Sequence, residues 1–251
     1  MFVVPPPRSR FVSLLLIGAV SFVLCGCVYL RLLEFKKQLS HFDENFTMPA
    51  TEDIGLQCLH PLLLADDLRW LGAAPKTIVK RDGGEDWVIR WIKENAPGVK
   101  EDAVYDMEID VRFVDGRLVE ARVPVRYLAY VSRDLFMSML RSTGTAKVSK
   151  GDHHADAQTQ TPPAAVLPNL SKVKAMLGEP TRKETTPDRI IHFYRYRLDS
   201  AEPAAKPIEV SFAFEPNSGE LRKFTARLPR GTLNYDFVPA APIPVPTNTG
   251  S

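Results

Sequence analysis

The residues whose types could support chemistry are mostly histidines and carboxylates, and one group of them has the composition of a metal site. Adjacent His153 and His154 stand beside Asp152 and Asp156, which are residue types that coordinate zinc. The surrounding segment is rich in small and polar residues, and nothing in it predicts the helix or hairpin that would fix ligand geometry. We therefore expect no metal site and no cofactor.

A second group of candidate catalytic residues comprises the carboxylates Asp106, Glu108 and Asp110. Neighbouring carboxylates can act as general acid and general base. These three alternate with apolar residues, and arginines are interleaved with them, so the pattern predicts an exposed, salt-bridged strand face. The chain has no Gly-x-Ser-x-Gly elbow, phosphate-binding glycine loop or His-Glu-x-x-His motif. We predict that the protein is not an enzyme, and no small-molecule substrate is evident.

The charge of the chain argues against nucleic acid as a partner. The 251 residues include 32 basic and 30 acidic ones, a net charge of +2. Arg8 and Arg10 are the only charged residues among the first 26, so the rest of the chain has 30 basic residues against 30 acidic ones. A nucleic-acid-binding protein needs a basic surplus to neutralise phosphates. The expected partners are instead a protein and, at the N-terminus, membrane lipid.

The N-terminus predicts export and membrane attachment. Arg8 and Arg10 precede an uncharged apolar run at residues 11–30. In one interpretation residues 11–23 are the apolar core of a signal peptide, with a processing site directly after it. In the other, the whole run is an uncleaved signal anchor, because about 20 apolar residues span a bilayer core of about 30 Å. Both interpretations place the body of the protein in the bacterial envelope, outside the cytoplasm.

The stretch Leu24-Cys25-Gly26-Cys27 resembles the lipobox of bacterial lipoproteins. The resemblance implies that Cys27 is acylated and becomes the new N-terminus. Val28 follows it, where an inner-membrane retention signal would have an aspartate. An outer-membrane lipoprotein is therefore favoured over an inner-membrane signal anchor.

Periodicity and composition divide the rest of the chain into segments. Residues 31–47 predict an amphipathic helix, whose apolar stripe would lie on the membrane, pair with a partner helix or cover the first domain. Residues 52–141 and 169–229 predict two α+β domains. Residues 142–168 are rich in small and polar types and predict a flexible linker. Residues 230–251, with their spaced prolines, predict a disordered tail.

The two domains are predicted to be copies of one unit. In each, a helix ends at a glycine that a proline soon follows, as in Leu71-Gly72 with Pro75 and Leu177-Gly178 with Pro180. Turn residues and strands of period-two alternation come next, as at residues 105–113 and 208–214. The predicted fold class is α+β: after the N-terminal apolar membrane segment, two repeats of a helix packed on a four-stranded antiparallel sheet.

Four aromatic residues are candidate protein-contact residues: Trp87, Trp91, Tyr194 and Tyr196. Aromatic side chains are enriched among the residues that dominate protein interfaces. Large rings also fill cores, so the contact role requires that these four are not core residues.

The helix that ends in Leu177-Gly178-Glu179-Pro180 is followed by a meander with an alternating strand and a glycine-containing hairpin. This arrangement resembles the fold shared by the small lipoproteins of the outer-membrane β-barrel assembly machinery and by the β-lactamase inhibitory proteins. The resemblance implies protein binding through a sheet face or loops. We expect a membrane-tethered, non-enzymatic binding or scaffold protein. The alternative is an inhibitor-like protein that blocks an extracytoplasmic enzyme, which requires a rigid arrangement of both units.

Overall fold

The structure, a computed structural model, describes residues 28–49, 54–100, 102–149, 154–162, 167–200 and 206–238. The predicted signal segment before residue 28, including the lipid-attachment residue Cys27, lies outside these ranges, as do residues 239–251 of the predicted tail. None of the helices in the described ranges is both long and apolar enough to cross a bilayer.

The described residues form α-helices, two 3-10 turns and β-strands. The helices are α1 (residues 28–40), α2 (Phe42–Asn45), α3 (Ala65–Trp70), α4 (Arg133–Thr145) and α5 (Leu170–Leu177). The 3-10 turns are Ala103–Tyr105 and Val125–Ala129. The strands are β1 (Phe46–Thr47), β2 (Ile54–Cys58), β3 (Thr77–Arg81), β4 (Gly84–Glu94), β5 (Met107–Val114), β6 (Arg117–Val123), β7 (Lys147–Ser149), β8 (His154–Gln160), β9 (Arg182–Thr186), β10 (Arg189–Leu198), β11 (Ile208–Phe214), β12 (Leu221–Leu228) and β13 (Gly231–Val238).

All of these strands belong to one 13-stranded sheet. Its main order is β1-β2-β6-β5-β4-β10-β11-β12-β13-β8-β7, and β3 and β9 pair with β4 and β10 beside this path. Every pairing is antiparallel except that of β13 with β8, which is parallel and aligns Thr232 with His154. The parallel pair brings the last described strand inside the sheet, between β12 and β8.

The predicted fold class of two separate helix-covered, four-stranded repeats is wrong. The chain does form a helix and then four strands in each stretch, but β4 pairs with β10, from Trp91 opposite Leu198 to Glu94 opposite Arg195. A strand at a sheet edge has unpaired main-chain groups. Here the unpaired main-chain groups of β4 and β10 form hydrogen bonds with each other. The strands therefore form one continuous sheet in place of two.

The predicted linker and tail also contribute strands to this sheet. Residues 142–168 include the end of α4, together with β7 and β8, so the predicted flexible linker is wrong for this stretch. In β8 the buried residues Ala157 and Thr159 alternate with exposed Asp156, Gln158 and Gln160. Burial at every second residue is typical of a strand with one buried face. Here the buried side chains are too small to produce a hydrophobic pattern in the sequence. β13 similarly buries Tyr235 and Phe237 within the stretch predicted as tail.

The helices α3, α4 and α5 pack on the same face of the sheet. Lys93 of β4 stands opposite Tyr196 of β10, so the odd-numbered residues of β4 and the even-numbered residues of β10 share that face. Leu68 of α3 packs in the cluster of Trp87, and Leu177 of α5 packs in the cluster of Tyr196. The same cluster includes Leu135 of α4, which is 1% exposed. One face of the sheet thus forms the core.

Helix α1 packs against the body of the protein through a third apolar cluster. Its Leu39 is buried with Phe42 and Phe46, and Met137 and Leu140 of α4 pack against them. The close approach of α1 to α4 is possible because residue 144 is a glycine, whose carbonyl accepts a hydrogen bond of 2.9 Å from the Lys36 amine. Of the three roles predicted for this amphipathic segment, the described helix covers the body.

Gly144→Ala tests the close contact between α1 and α4. A Cβ at residue 144 would lie 2.1 Å from the Ser40 main-chain nitrogen, so the two helices must separate. We expect a loss of about 1–3 kcal/mol in the free energy of unfolding, measured by urea denaturation. The control is Gly55→Ala, where the nearest atom would be at 3.7 Å and a change within about 1 kcal/mol is expected. Equal effects of the two substitutions would contradict this account of the contact.

Candidate functional site

The structure places the four predicted contact residues on the helix-covered face of the sheet. Trp87, Tyr194 and Tyr196 are completely buried, and Trp91 is partly exposed. The Trp87 indole donates to a carboxylate oxygen of Glu85 at 2.8 Å. The hydroxyl groups of both tyrosines are buried without a hydrogen-bond partner. The condition for the contact role, that these residues are not core, is therefore not met by three of the four.

The opposite face of the sheet is open to solvent, and we call it the open face. The central strand β11 shows this most clearly, because Ile208, Val210, Phe212 and Phe214 are buried while the three residues between them are partly exposed. A helix on the second face would have buried Ser211 and Ala213 as well. The open face is therefore a wide, accessible surface formed by regular backbone.

A shallow trough runs across the open face over strands β9 to β13 and β8, with a volume of about 340 Å³. Its centre is formed by small side chains, and longer charged side chains stand around them. The trough residues are His154, Glu184, Arg189, Ile191, Phe193, Ser211, Ala213, Lys223, Thr225, Arg227, Thr232 and Asn234. The hydroxyl and amide groups at its centre can donate and accept hydrogen bonds, which suits a polar surface such as a peptide main chain.

Ion pairs cross the open face from strand to strand. The Lys223 amine lies 3.5 Å from an Asp236 carboxylate oxygen, and the Arg227 guanidinium lies 3.0 Å from that of Glu209. At the β4–β10 junction, Arg195 pairs with Glu94 at 2.8 Å. Exposed pairs of this kind contribute about 0–1 kcal/mol to folding, so they can exchange for pairs with a partner at little cost.

One aromatic side chain does lie on the open face. Phe193 is 8% exposed, because the guanidinium of Arg182 stacks over its ring at 3.7 Å from the centroid. Arg182 is itself half exposed and pairs with Glu184. If a partner displaced the guanidinium, the ring would become available as an apolar anchor. Phe193 is as aromatic as its core neighbours in β10. It differs from them only in having an odd residue number, which places it on the opposite face of the strand.

The carboxylates considered as catalytic residues have different environments. Glu108 and Asp110 are exposed, as the alternation predicted. Asp106 is 6% exposed, and its carboxylate accepts hydrogen bonds from the Arg90 guanidinium at 2.6 Å and from the Lys93 main-chain nitrogen at 2.9 Å. The prediction of a solvated surface group is therefore wrong for Asp106. Its role is to connect β4 to the start of β5.

A buried lysine stands beside this carboxylate on the helix-covered face. The Lys93 amine donates to the main-chain oxygen of Glu179 at 2.6 Å and lies over the rings of Tyr105 and Tyr194. Burial lowers the pKa of Lys93 from its usual value, and the Glu179 carboxylate opposes that shift. Gly178 makes the arrangement possible, since a Cβ there would lie 2.9 Å from the amine. The sequence reasoning missed this contact, because the glycine was explained by helix termination alone.

Among the described residues, no group of three or more His, Cys, Asp or Glu side chains is placed to hold a metal ion. His153 and Asp152 of the considered metal group lie outside the described residues. His192 is 3% exposed and its Nδ1 has no hydrogen-bond partner. Burial lowers the pKa of His192, as does the charge of Lys183. Its ring packs edge-on against Phe214, so its surroundings are those of a core residue.

His192→Phe tests this packing role. Because the folded-state pKa of His192 lies below the unfolded value of about 6.5, the protein should lose stability as the pH falls below that value. We expect the wild type to lose more free energy of unfolding between about pH 7 and about pH 5 than the variant does, measured by urea denaturation. Equal losses in the two proteins would show that His192 does not become harder to protonate on folding.

Comparison with known proteins adds no relative to this description. No protein-family model matches the chain, and neither a curated protein nor a solved structure matches it. The resemblance to the assembly lipoproteins and to the β-lactamase inhibitory proteins stays a prediction from the sequence.

Proposed function

We propose that this chain is a membrane-tethered, non-enzymatic binding protein of the bacterial envelope that contacts a protein partner through the trough on its open face. The single observation that carries the proposal is the burial pattern of β11. Its three partly exposed residues lie in the middle of the sheet and keep the second face accessible. The apolar N-terminal run and its lipobox-like cysteines support the tether.

The chemistry of the open face supports a protein as the partner. Basic and acidic side chains alternate across it, so it suits a surface of mixed charge better than a polyanion. Phe193 under Arg182 supplies one apolar anchor with an arginine beside it, a combination enriched in protein interfaces. The trough itself is shallow and polar, which suits contact with a protein surface better than enclosure of a small molecule.

An inhibitor-like role is a second candidate, and one observation favours it. Such a protein must present a rigid sheet surface to its target enzyme. The pairing of β4 with β10 joins the strands before and after α4 by main-chain hydrogen bonds, and it supports that rigidity. The Thr181 hydroxyl also donates to the Glu94 main-chain oxygen at 2.8 Å across the same junction.

A photoreactive amino acid at Ser211 tests the trough as a contact surface. In cells that express the full chain, we expect irradiation to yield one or a few discrete protein adducts, because Ser211 lies at the centre of the trough. The same amino acid at Thr77, an exposed position on β3, is the matched control and should not yield these adducts.

Ala213→Arg in the Ser211-labelled chain should suppress the adducts, since it fills the trough from a position that faces solvent. Unchanged thermal unfolding of this variant would show that the loss is not a folding defect. Identical adducts from Ser211 and Thr77 would contradict the proposal. An adduct with an envelope enzyme that the purified chain inhibits would favour the inhibitor-like role.

Cys27→Ser tests the tether. If Cys27 is acylated, the protein extracted by detergent should have the intact mass of a chain that begins at an acylated Cys27, and this species should be absent from the variant. The measurement is intact mass spectrometry of both proteins. A full-length, unprocessed mass in both would contradict lipidation and would support residues 11–30 as a signal anchor.

A further inference from the structure

The helix-covered face contains an apolar cleft that the proposed protein-binding role does not use. It lies between α4 and α5 above strands β11, β12 and β13, and its volume is about 280 Å³. The surface exposed inside it is entirely apolar and includes Tyr127, Phe136, Met139, Met176, Phe212 and Phe224. The trough is on the other face, so the two sites are independent.

A cleft of this size and composition favours an apolar occupant. Its volume exceeds the cavity of about 150 Å³ that stays dry and takes up benzene in an engineered protein. Water gains no hydrogen bonds from such walls, and side chains that line a void lose dispersion contacts. A hydrocarbon ligand would restore those contacts and displace poorly bonded water.

The walls suit a flexible chain better than a rigid ring system. Met107, Met139 and Met176 all line the cleft. Methionine side chains are unbranched and polarisable, so they adapt to ligands of irregular shape. Tyr127, Phe136 and Met139 are only partly buried, which leaves the cleft open to entry from solvent.

A cation stands at one end of the cleft. Arg126 is exposed, and its guanidinium donates to the hydroxyl of Tyr127 at 3.2 Å and stacks on that ring at 5.1 Å. Its other bonds go to the main-chain oxygens of Val104 and Asp106. Within the described ranges, none of the carboxylates forms an ion pair with it. Its charge is therefore available to an anion held beside Tyr127.

We propose that the cleft binds the hydrocarbon chain of a long-chain anionic amphiphile, with the anionic head beside Arg126. A carboxylate head would come from a free fatty acid and a phosphate head from a membrane phospholipid. Each offers at least one hydrocarbon chain for the apolar walls and a negatively charged head for the guanidinium.

The test uses the full chain in lipid nanodiscs and a hexadecanoic acid that has a photoreactive diazirine in its tail. After irradiation and proteolysis, we expect the label on peptides of α4 and α5. Unlabelled hexadecanoate should suppress this labelling. If phosphatidylglycerol nanodiscs suppress it more strongly than phosphatidylcholine ones, a membrane phospholipid is the source; equal suppression assigns the site to free fatty acid.

Arg126→Gln should raise the concentration of hexadecanoate that halves the labelling by about tenfold, and it should leave competition by hexadecanol unchanged. The matched control is Arg141→Gln, because Arg141 is also exposed and stacks on an aromatic ring, that of Phe42 at 5.2 Å. Met139→Trp should fill the cleft and block labelling by the diazirine hexadecanoic acid.

Three results would overturn the proposal. The first is labelling confined to residues 11–30, which would mean that the probe meets only the membrane segment. The second is an equal effect of Arg126→Gln and Arg141→Gln. The third is undiminished labelling in Met139→Trp. Because Arg126→Gln changes an exposed residue, the proposal stays testable even if Met139→Trp fails to fold.

Discussion

The main-chain pairing between β4 and β10 is the constraint on which the rest of the structure depends. It joins strands that are about 100 residues apart in sequence and fixes which side chains share a face. Lys93 and Tyr196 meet across this junction, as do Glu94 and Arg195. With one sheet in place of two, all the packing helices cover a single surface, and the other remains accessible. On the other side of β4, Asp106 accepts hydrogen bonds from Arg90 and from the Lys93 main chain and so connects β4 to the start of β5.

The sequence predicted individual strands better than it predicted their neighbours. Alternation identified β5 and β11 because large apolar residues recur at every second position. β8 was missed because its buried positions are Ala157 and Thr159, whose small side chains resemble those of a linker. β13 was missed because prolines follow it closely. The pairing of β4 with β10 depends on the complementarity of two distant edges, and local periodicity contains no information about it.

The same contrast holds for the candidate site: alternation in the sequence predicts which residues are large and lie in strands, but only strand pairing shows which residues lie together on a surface. The sequence nominated Trp87, Trp91, Tyr194 and Tyr196 because they are large and alternate, yet that pattern equally describes a core. The trough instead has Ser211, Ala213 and Thr225 at its centre. These are small, common residue types that do not indicate a binding site in a sequence. They became recognisable as a surface only when the register placed them side by side across neighbouring strands. Phe193 differs from the core aromatics of β10 by one position.

The parallel pair of β13 with β8 has a consequence for how the chain reaches its native state. The two strands are 78 residues apart at Asn234 and Asp156, and β13 separates β8 from the rest of the sheet. A nascent chain that leaves the ribosome or a translocation channel therefore cannot join β8 to the rest of the sheet until β13 has emerged. Until then the edge of β8 that faces β13 is unpaired and open to other strands. Assembly of the whole sheet is thus a late event of high contact order, and an unpaired strand edge of this kind favours aggregation until β13 is in place.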